Sequence, residues 1–213
     1  MKGTSYNLKY ATKARFLSNP VVGESQYTIN SSKYLILNPY IEVSNKHIGN
    51  VLSLFDGISC GQVALNRLGI SYDRYYASEI DPYAMKVTSE NYPHTVQLGS
   101  VTKVSPENLP KIDLLIGGSP CQGFSFAGKQ LNFNDPRSCL FFEYVRLLKS
   151  LQPRYFLLEN VVMKRQYQDI ISEHLGGVEP VLINSSDFSA QNRPRLYWTN
   201  IPLLPIRSKQ VFT

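Results

Sequence analysis

From residue 51 onward, short apolar runs alternate with longer stretches in which apolar positions recur at helical spacing. Apolar runs of about four to eight residues bounded by turn signals read as buried strands, and longer stretches with a 3.6-residue period read as helices. The first predicted strand, Val51 to Phe55, is closed by Asp56-Gly57 and followed by a helix from Gly61 to Leu68. Tyr75 to Ser78 is the second, after which Asp81-Pro82 offers a capping side chain and a proline suited to a first helical turn. Further strands are predicted near Thr95–Leu98, at Asp113–Gly117, at Tyr155–Leu158, near Val181–Ile183 and near Leu196–Thr199, with helices over Cys139–Ser150 and Gln166–Leu175. Buried strands alternating with helices predict an α/β fold with a doubly wound, mostly parallel sheet.

The first fifty residues read differently. They are rich in Asn, Ser and Tyr, and Asn19-Pro20 and Asn38-Pro39 mark turns. Gln26–Ile29 and Lys33–Leu37, separated by Asn30 to Ser32, predict a small hairpin. Residues 1–50 are therefore expected to form an N-terminal extension and residues 51–213 the main domain. No apolar run approaches the roughly 20 residues of a membrane-spanning helix, so no membrane association is expected. The N-terminus carries no apolar signal core, and secretion is not expected either. A formal charge of +6 and a pI near 9.2 favour a polyanionic partner such as nucleic acid, although the basic residues are scattered. Cys60, Cys121 and Cys139 form no CxxC pair and make no metal-ligand spacing with His47, His94 and His174, so no metal is expected.

In a doubly wound sheet, ligands bind outside the carboxyl ends of the strands. The polar and glycine-rich punctuation falls there: Asp56-Gly57, Glu79, Ser119-Pro120-Cys121 and Glu159-Asn160. Gly57 lets the backbone turn tightly and approach a ligand. Glu79 stands at the end of the second strand, 23 positions after Asp56. An acidic residue about 20 positions along is where an adenosine ribose finds its acceptor. A glutamate that caps the helix opened by Asp81-Pro82 is the competing reading. Cys121 sits among glycines, serine and proline, which hold a side chain at a loop tip and give the exposure a nucleophilic thiol needs. Cys60 and Cys139 read instead as inert buried thiols.

Pro120-Cys121-Gln122-Gly123-Phe124-Ser125, with Ala127-Gly128-Lys129 and Asp135-x-Arg137 downstream, resembles the catalytic signature of the cytosine-5 DNA methyltransferases. Glu159-Asn160-Val161 resembles that family's glutamate motif, and Gln191-x-Arg193-x-Arg195 its arginine motif. Phe55-x-Gly57 and Glu79 are similar to its S-adenosylmethionine motifs, and the ordered resemblance runs from Val51 to about Pro202. The branch it looks most like is phage or bacterial, with likeness also to the vertebrate de novo enzymes.

The resemblance implies a Rossmann-like methyltransferase fold with S-adenosylmethionine as cofactor and double-stranded DNA as partner. It implies Cys121 as nucleophile, a protonated Glu159 held against N3 of cytosine, and Arg193 or Arg195 on the base or a flanking phosphate. The cofactor would meet Phe55, Asp56, Gly57, Ser59, Glu79, Ile80, Ser100, Val101 and Pro120. DNA would meet Gln122, Ser125, Lys129 and Arg137. The cytoplasm of a bacterium or phage-infected cell is the expected location, which suits an odd number of free thiols.

Two departures stand out. Ser100 occupies a position where the family usually carries an acidic residue, and weaker cofactor binding is expected. The family's target-recognition region and final Gly-Asn motif are expected to be absent after Trp198, so a second chain or a homo-oligomer is expected to supply recognition. His47-Ile48-Gly49-Asn50 superficially resembles that final motif but abuts the first strand, with no room for the helix that should follow. Two other functions stay open: a weakly active or inactive cofactor- or DNA-binding subunit, and an RNA cytosine-5 methyltransferase. The RNA-directed relatives carry a Cys-Phe-Thr tripeptide that this chain lacks.

Overall fold

A computed structural model describes residues 35–36, 46–120 and 139–205 of the chain. In chain order the elements begin β1 (Leu35–Ile36), β2 (His47–Ile48), β3 (Asn50–Leu54), α1 (Cys60–Arg67), β4 (Ser71–Tyr72), β5 (Tyr75–Ser78), α2 (Pro82–Asn91) and β6 (Val96–Gln97). Two single 3-10 turns, Val101–Lys103 and Pro106–Asn108, lead into β7 (Ile112–Gly117). Then come α3 (Cys139–Leu151), β8 (Tyr155–Val161), α4 (Arg165–His174), β9 (Val181–Asn184), β10 (Pro194–Thr199) and β11 (Leu204–Pro205).

Seven strands form the central sheet in the order β6-β5-β3-β7-β8-β10-β9. The neighbours from β6 through β8 pair in parallel. β10 runs antiparallel to both β8 and β9. This is the doubly wound, mostly parallel α/β sheet that the alternating pattern predicts. Asp81 caps α2 as expected, its carboxylate accepting from the Tyr83 N–H at 2.9 Å, with Pro82 in the first turn. Short pairings flank the sheet: β1 with β11, antiparallel, and β2 with β4, parallel. The Gln26–Ile29 arm of the predicted hairpin lies outside the described residues.

Successive side chains of a strand point to opposite faces, and β3 shows the consequence. Leu52 and Leu54 enter a large core with Phe141, Tyr144 and Leu147 of α3 and Tyr167 and Ile171 of α4. Val51 enters a smaller core with Leu65 of α1, Tyr75, Ala77 and Leu114. On β8 the alternation is strict: Phe156, Leu158 and Asn160 are buried, whereas Tyr155, Leu157, Glu159 and Val161 are half-buried. The α3–α4 face is therefore closed, and Glu159 rides on the other, more open one.

The parallel strands all end at one edge, so the loops after β3, β5, β6, β7 and β8 share a rim. Residues 49 and 50 are at the opposite edge, where Asn50 opens β3 and its side-chain amide donates to the Lys111 carbonyl at 3.0 Å. The likeness of His47–Asn50 to a cofactor-pocket motif has no counterpart in this placement.

Candidate active site

The first half of the rim is built from backbone held by buried polar groups. Phe55, Gly57 and Ser59 all adopt left-handed backbone, with φ of 57°, 58° and 64°. For the two non-glycine residues this costs on the order of 1 kcal/mol or more each, and it persists only where the surroundings enforce it. The enforcing network lies beneath the loop. Asp56 accepts from the Tyr75 hydroxyl at 2.8 Å and from the Ser59 hydroxyl. The Gln62 amide donates to Ser59 Oγ at 2.9 Å and to Thr95 Oγ1 at 2.8 Å, while its oxygen accepts from the Tyr72 hydroxyl at 2.7 Å.

Burial raises the Asp56 carboxyl above the usual aspartate range, against the hydrogen bonds from Ser53, Ser59 and Tyr75; the charge on Glu79 adds to the rise. Burial, followed by the charge on Asp56, likewise pushes the Tyr75 phenol well up. Both Asp56 oxygens and the Ser59 hydroxyl are thus engaged beneath the loop, and Ser59 is fully buried. Their side chains shape the loop from below rather than face the rim.

Glu79, at the end of β5, binds this loop directly. Its Oε2 accepts from the Gly57 N–H at 2.7 Å, and its Oε1 accepts from the N–H groups of Ile80 at 2.7 Å and Asp81 at 3.0 Å. Glu79 thus holds the two N–H groups just ahead of α2, whereas the side-chain cap of that helix is Asp81. A carboxylate offers about four lone-pair sites, so one acceptor position is left for a ligand hydroxyl.

A Cβ built on Gly57 or on Gly99 would meet nothing within 4 Å, so both glycines border open space on either side of Glu79. Ile80 beside them is 73% exposed, an apolar side chain in the open at a rim. Gly99 is fixed from behind by the Ser78 hydroxyl, which donates to its carbonyl at 2.8 Å, and the Ser100 hydroxyl pairs with Thr102 at 2.9 Å. Val101 is buried in the main core. An open crevice with a carboxylate acceptor, an apolar wall and a serine hydroxyl fits an adenosine-bearing cofactor.

The second half of the rim carries the charges. Arg195 Nε lies 2.8 Å from Glu159 Oε1, and the two side chains are 19% and 31% exposed. The opposite oxygen, Oε2, sits where a Cβ on Gly118 would come within 2.9 Å, so the glycine makes room for the carboxylate. Asn160, fully buried, donates to Ser119 Oγ at 3.3 Å and accepts from the Val161 N–H at 2.8 Å. The ends of β7 and β8 are thereby tied together immediately before Pro120.

Tyr197 stands directly opposite Glu159 in the β10–β8 register. Burial raises its phenol and the Glu159 charge adds to this, while Arg195 and Arg193 oppose it. Arg193 is exposed just ahead of β10. The predicted Cys121, Gln122, Ser125, Lys129 and Arg137 lie outside the described residues. Cys60, read as a buried thiol, is exposed at the start of α1.

Sequence reasoning placed Ser119 and Asn160 on the rim but not the hydrogen bond between them, and it missed Tyr197 and the Tyr75 and Gln62 network under the first loop. A partner for Asn160 could have been expected, because it alternates to the buried side of β8, where a polar residue needs one. A cavity of about 550 Å³ lined by Gln62, Tyr72, Tyr75, Tyr92 and Thr95, among others, opens at the amino ends of β5 and β6. None of the predicted site residues lines it.

The fold is Rossmann-like, and its rim brings Glu79 beside open space at Gly57 and Gly99 and carries the Glu159–Arg195 carboxylate–guanidinium pair. Residues 49–202 match the C-5 cytosine-specific DNA methylase family, and the chain belongs to that family. It is 42% identical over 159 residues to the orphan methyltransferase M.Rho11sI of Bacillus phage rho11s, covering 69% of this chain and 32% of the phage protein. It is 36% identical over 168 residues to the type II methyltransferase M.NlaIV of Neisseria lactamica, covering 70% and 40% of the two chains. A crystal structure of a prophage-encoded E. coli protein, described as a DNA modification methyltransferase, superposes with a TM-score of 0.58 at 29% identity over 70% of this chain and 45% of that one. The fold alone is shared with Spodoptera frugiperda DNMT2, at 24% identity and a TM-score of 0.58 over 76% of this chain and 53% of that one. The chain thus spans about a third to two fifths of the two curated relatives. Among the described residues, no helix is long and apolar enough to cross a membrane.

Proposed function

We propose that the chain transfers a methyl group from S-adenosylmethionine to C5 of cytosine in double-stranded DNA. The observation that carries this reading is the Glu159–Arg195 pair seated against Gly118, one strand end away from Pro120 and on the same rim as the open crevice at Gly57, Glu79 and Gly99. The cofactor supplies an electrophilic methyl group on a sulfonium. Glu79 would accept from its ribose, Ile80 and Phe55 would cover its adenine, Ser100 and the Val101 backbone would border the base, and Pro120 would lie at the methyl end.

C5 of cytosine is a weak nucleophile and must be activated. The Cys121 thiolate adds to C6, and the ring's electrons shift toward C5. Glu159, taking up a proton from solvent as the base enters, hands it to N3 as that charge develops. C5 then takes the methyl group and loses its proton to a base. The S–C6 bond breaks, the thiolate is restored and the N3 proton returns to Glu159. Arg195 orients Glu159 through its 2.8 Å contact. Arg193, exposed beside it, grips O2 of the base or a flanking phosphate, as a guanidinium can. The target base reaches this rim only outside the duplex stack, which costs a few kcal/mol. Gln122, Ser125, Lys129 and Arg137 contact the DNA around it.

A second reading is a DNA- and cofactor-binding subunit whose turnover depends on a partner chain or a homo-oligomer. Tritiated methyl transfer from S-adenosylmethionine to mixed DNA and RNA tests both. Label in DNA cytosine supports the proposal; label in RNA alone overturns it; cofactor and DNA binding without label supports the subunit reading.

A further inference from the structure

α3 is the first described element after residues 121–138, and it reaches across to the loop that follows β6. Arg146, in the middle of α3, is the link. Its Nε and Nη2 lie 2.9 and 2.7 Å from Glu143 Oε2 on the preceding turn of the same helix. The same Nη2 donates to the carbonyls of Val104 at 2.9 Å and Val101 at 3.3 Å. These carbonyls belong to the turn whose first residue, Val101, follows Ser100 on the crevice wall. Within that turn only two backbone bonds are local: Lys103 N–H to the Ser100 carbonyl at 2.9 Å, and Val104 N–H to the Val101 carbonyl at 3.2 Å. A single 3-10 turn is too short to fix itself, since such turns have poor hydrogen-bond geometry. Its placement therefore depends on what holds it from outside: Val101 and Val104 buried in the main core, Ser78 at the Gly99 carbonyl, and Arg146 at the Val101 and Val104 carbonyls.

We propose that Arg146 is a positioning residue for the cofactor, clamping the Ser100–Val104 turn to α3 so that the adenine side of the crevice is pre-formed. The inference rests on the cofactor reading given above. A guanidinium suits this task because its rigid planar fork holds the Glu143 carboxylate with Nε and Nη2 together while Nη2 reaches the two carbonyls, a fixed geometry that a flexible ammonium point charge does not supply. Glu143 is the anchor that aims the fork.

The test measures S-adenosylmethionine affinity by titration calorimetry, and amide hydrogen exchange at Lys103 and Val104, on the full chain and its variants. Arg146→Gln is expected to weaken cofactor binding about ten-fold and to speed exchange at both amides, while DNA affinity and kcat at saturating cofactor stay as in the wild type. Arg146→Lys should fall between the two. Glu143→Gln, which keeps the arginine and loosens its anchor, should weaken binding about two- to three-fold. Should Arg146→Gln not fold, the last two variants decide.

Unchanged affinity in variants with faster exchange or a lower melt would make the clamp purely structural and overturn the proposal. A wild-type chain that binds no S-adenosylmethionine would overturn the cofactor reading itself, and this inference with it. Wild-type binding with unaltered variants would overturn only the role of Arg146.

Discussion

The two halves of the rim hold their carboxylates in opposite ways. Glu79 is fixed by three backbone N–H groups, from Gly57, Ile80 and Asp81. Among the described residues, Glu159 has one guanidinium partner and a glycine that leaves space for it. Backbone donors cannot swing away, so Glu79 is a fixed acceptor that also staples the loop after β3 to the start of α2. A side-chain partner on a half-open sheet face holds Glu159 in place yet leaves its second oxygen beside Gly118. The first arrangement suits binding, where the same contact must be ready every time. The second suits proton transfer, where the group must meet a substrate atom and change state.

Breaking the second half should have the largest effect. Glu159→Gln keeps the shape but has no proton to give, and loss of a general acid lowers turnover by about 10²–10⁴-fold. Single-turnover methylation is expected to show that loss, with cofactor affinity and thermal melt close to wild type. Glu79→Ala should do the reverse. It is expected to weaken S-adenosylmethionine binding by about 1.5–3 kcal/mol, the range for a hydrogen bond involving a charged group. It should also lower the melt, because three N–H groups lose their acceptor. Calorimetry beside a melting curve checks both, and an unchanged dissociation constant would remove Glu79 from the cofactor site.

Gly118→Ala sharpens the contrast at smaller cost. The new Cβ would press on Glu159 Oε2 from 2.9 Å, and the carboxylate, at the end of a flexible side chain, should move aside. A fall in kcat of about ten-fold, or about 1.4 kcal/mol in the barrier, is expected with the cofactor dissociation constant unaltered.

The smallest expected effect is a pH dependence beneath the first half. Burial raises the folded pKa of Asp56. Between the unfolded and folded values the native state therefore binds more protons than the unfolded state, and stability falls as pH rises. The contribution of Asp56 is fully present below the unfolded pKa and is lost as pH climbs through the folded one. The melt of wild type relative to Asp56→Asn should be most favourable in acid and decline toward neutral pH. A difference that does not change with pH would contradict the burial of that carboxylate.

Much of this was legible in the residues. Tyr75–Ser78 and the Asp81-Pro82 helix start agree with the structure, and the strands at 51, 113, 155, 181 and 196 fall within a few residues of β3, β7, β8, β9 and β10. Buried apolar runs and a capping aspartate are local signals. The antiparallel insertion of β10 between β8 and β9 was not legible, because strand direction within a sheet is decided by connections and not by the run itself. At the site, the sequence pointed to Glu79, Glu159 and Arg195 but not to the Glu159–Arg195 ion pair or to the backbone N–H groups that hold Glu79. The Tyr75–Asp56–Ser59–Gln62 network joins residues from two strands and a helix, and no spacing rule links them. Gly118 looked like loop punctuation, yet the need for a glycine there comes from Glu159, 41 positions away.

The central claim is that this rim performs covalent cytosine chemistry through Cys121. Incubation with S-adenosylmethionine and duplex DNA containing 5-fluorocytosine tests it most directly, since fluorine at C5 cannot leave as a proton does and the S–C6 bond is then retained. The account predicts a denaturation-stable protein–DNA adduct whose DNA-bearing peptide contains Cys121, abolished in Cys121→Ser. Methyl transfer to ordinary duplex with no adduct on the fluorinated one, or an adduct on Cys60 or Cys139, would contradict it.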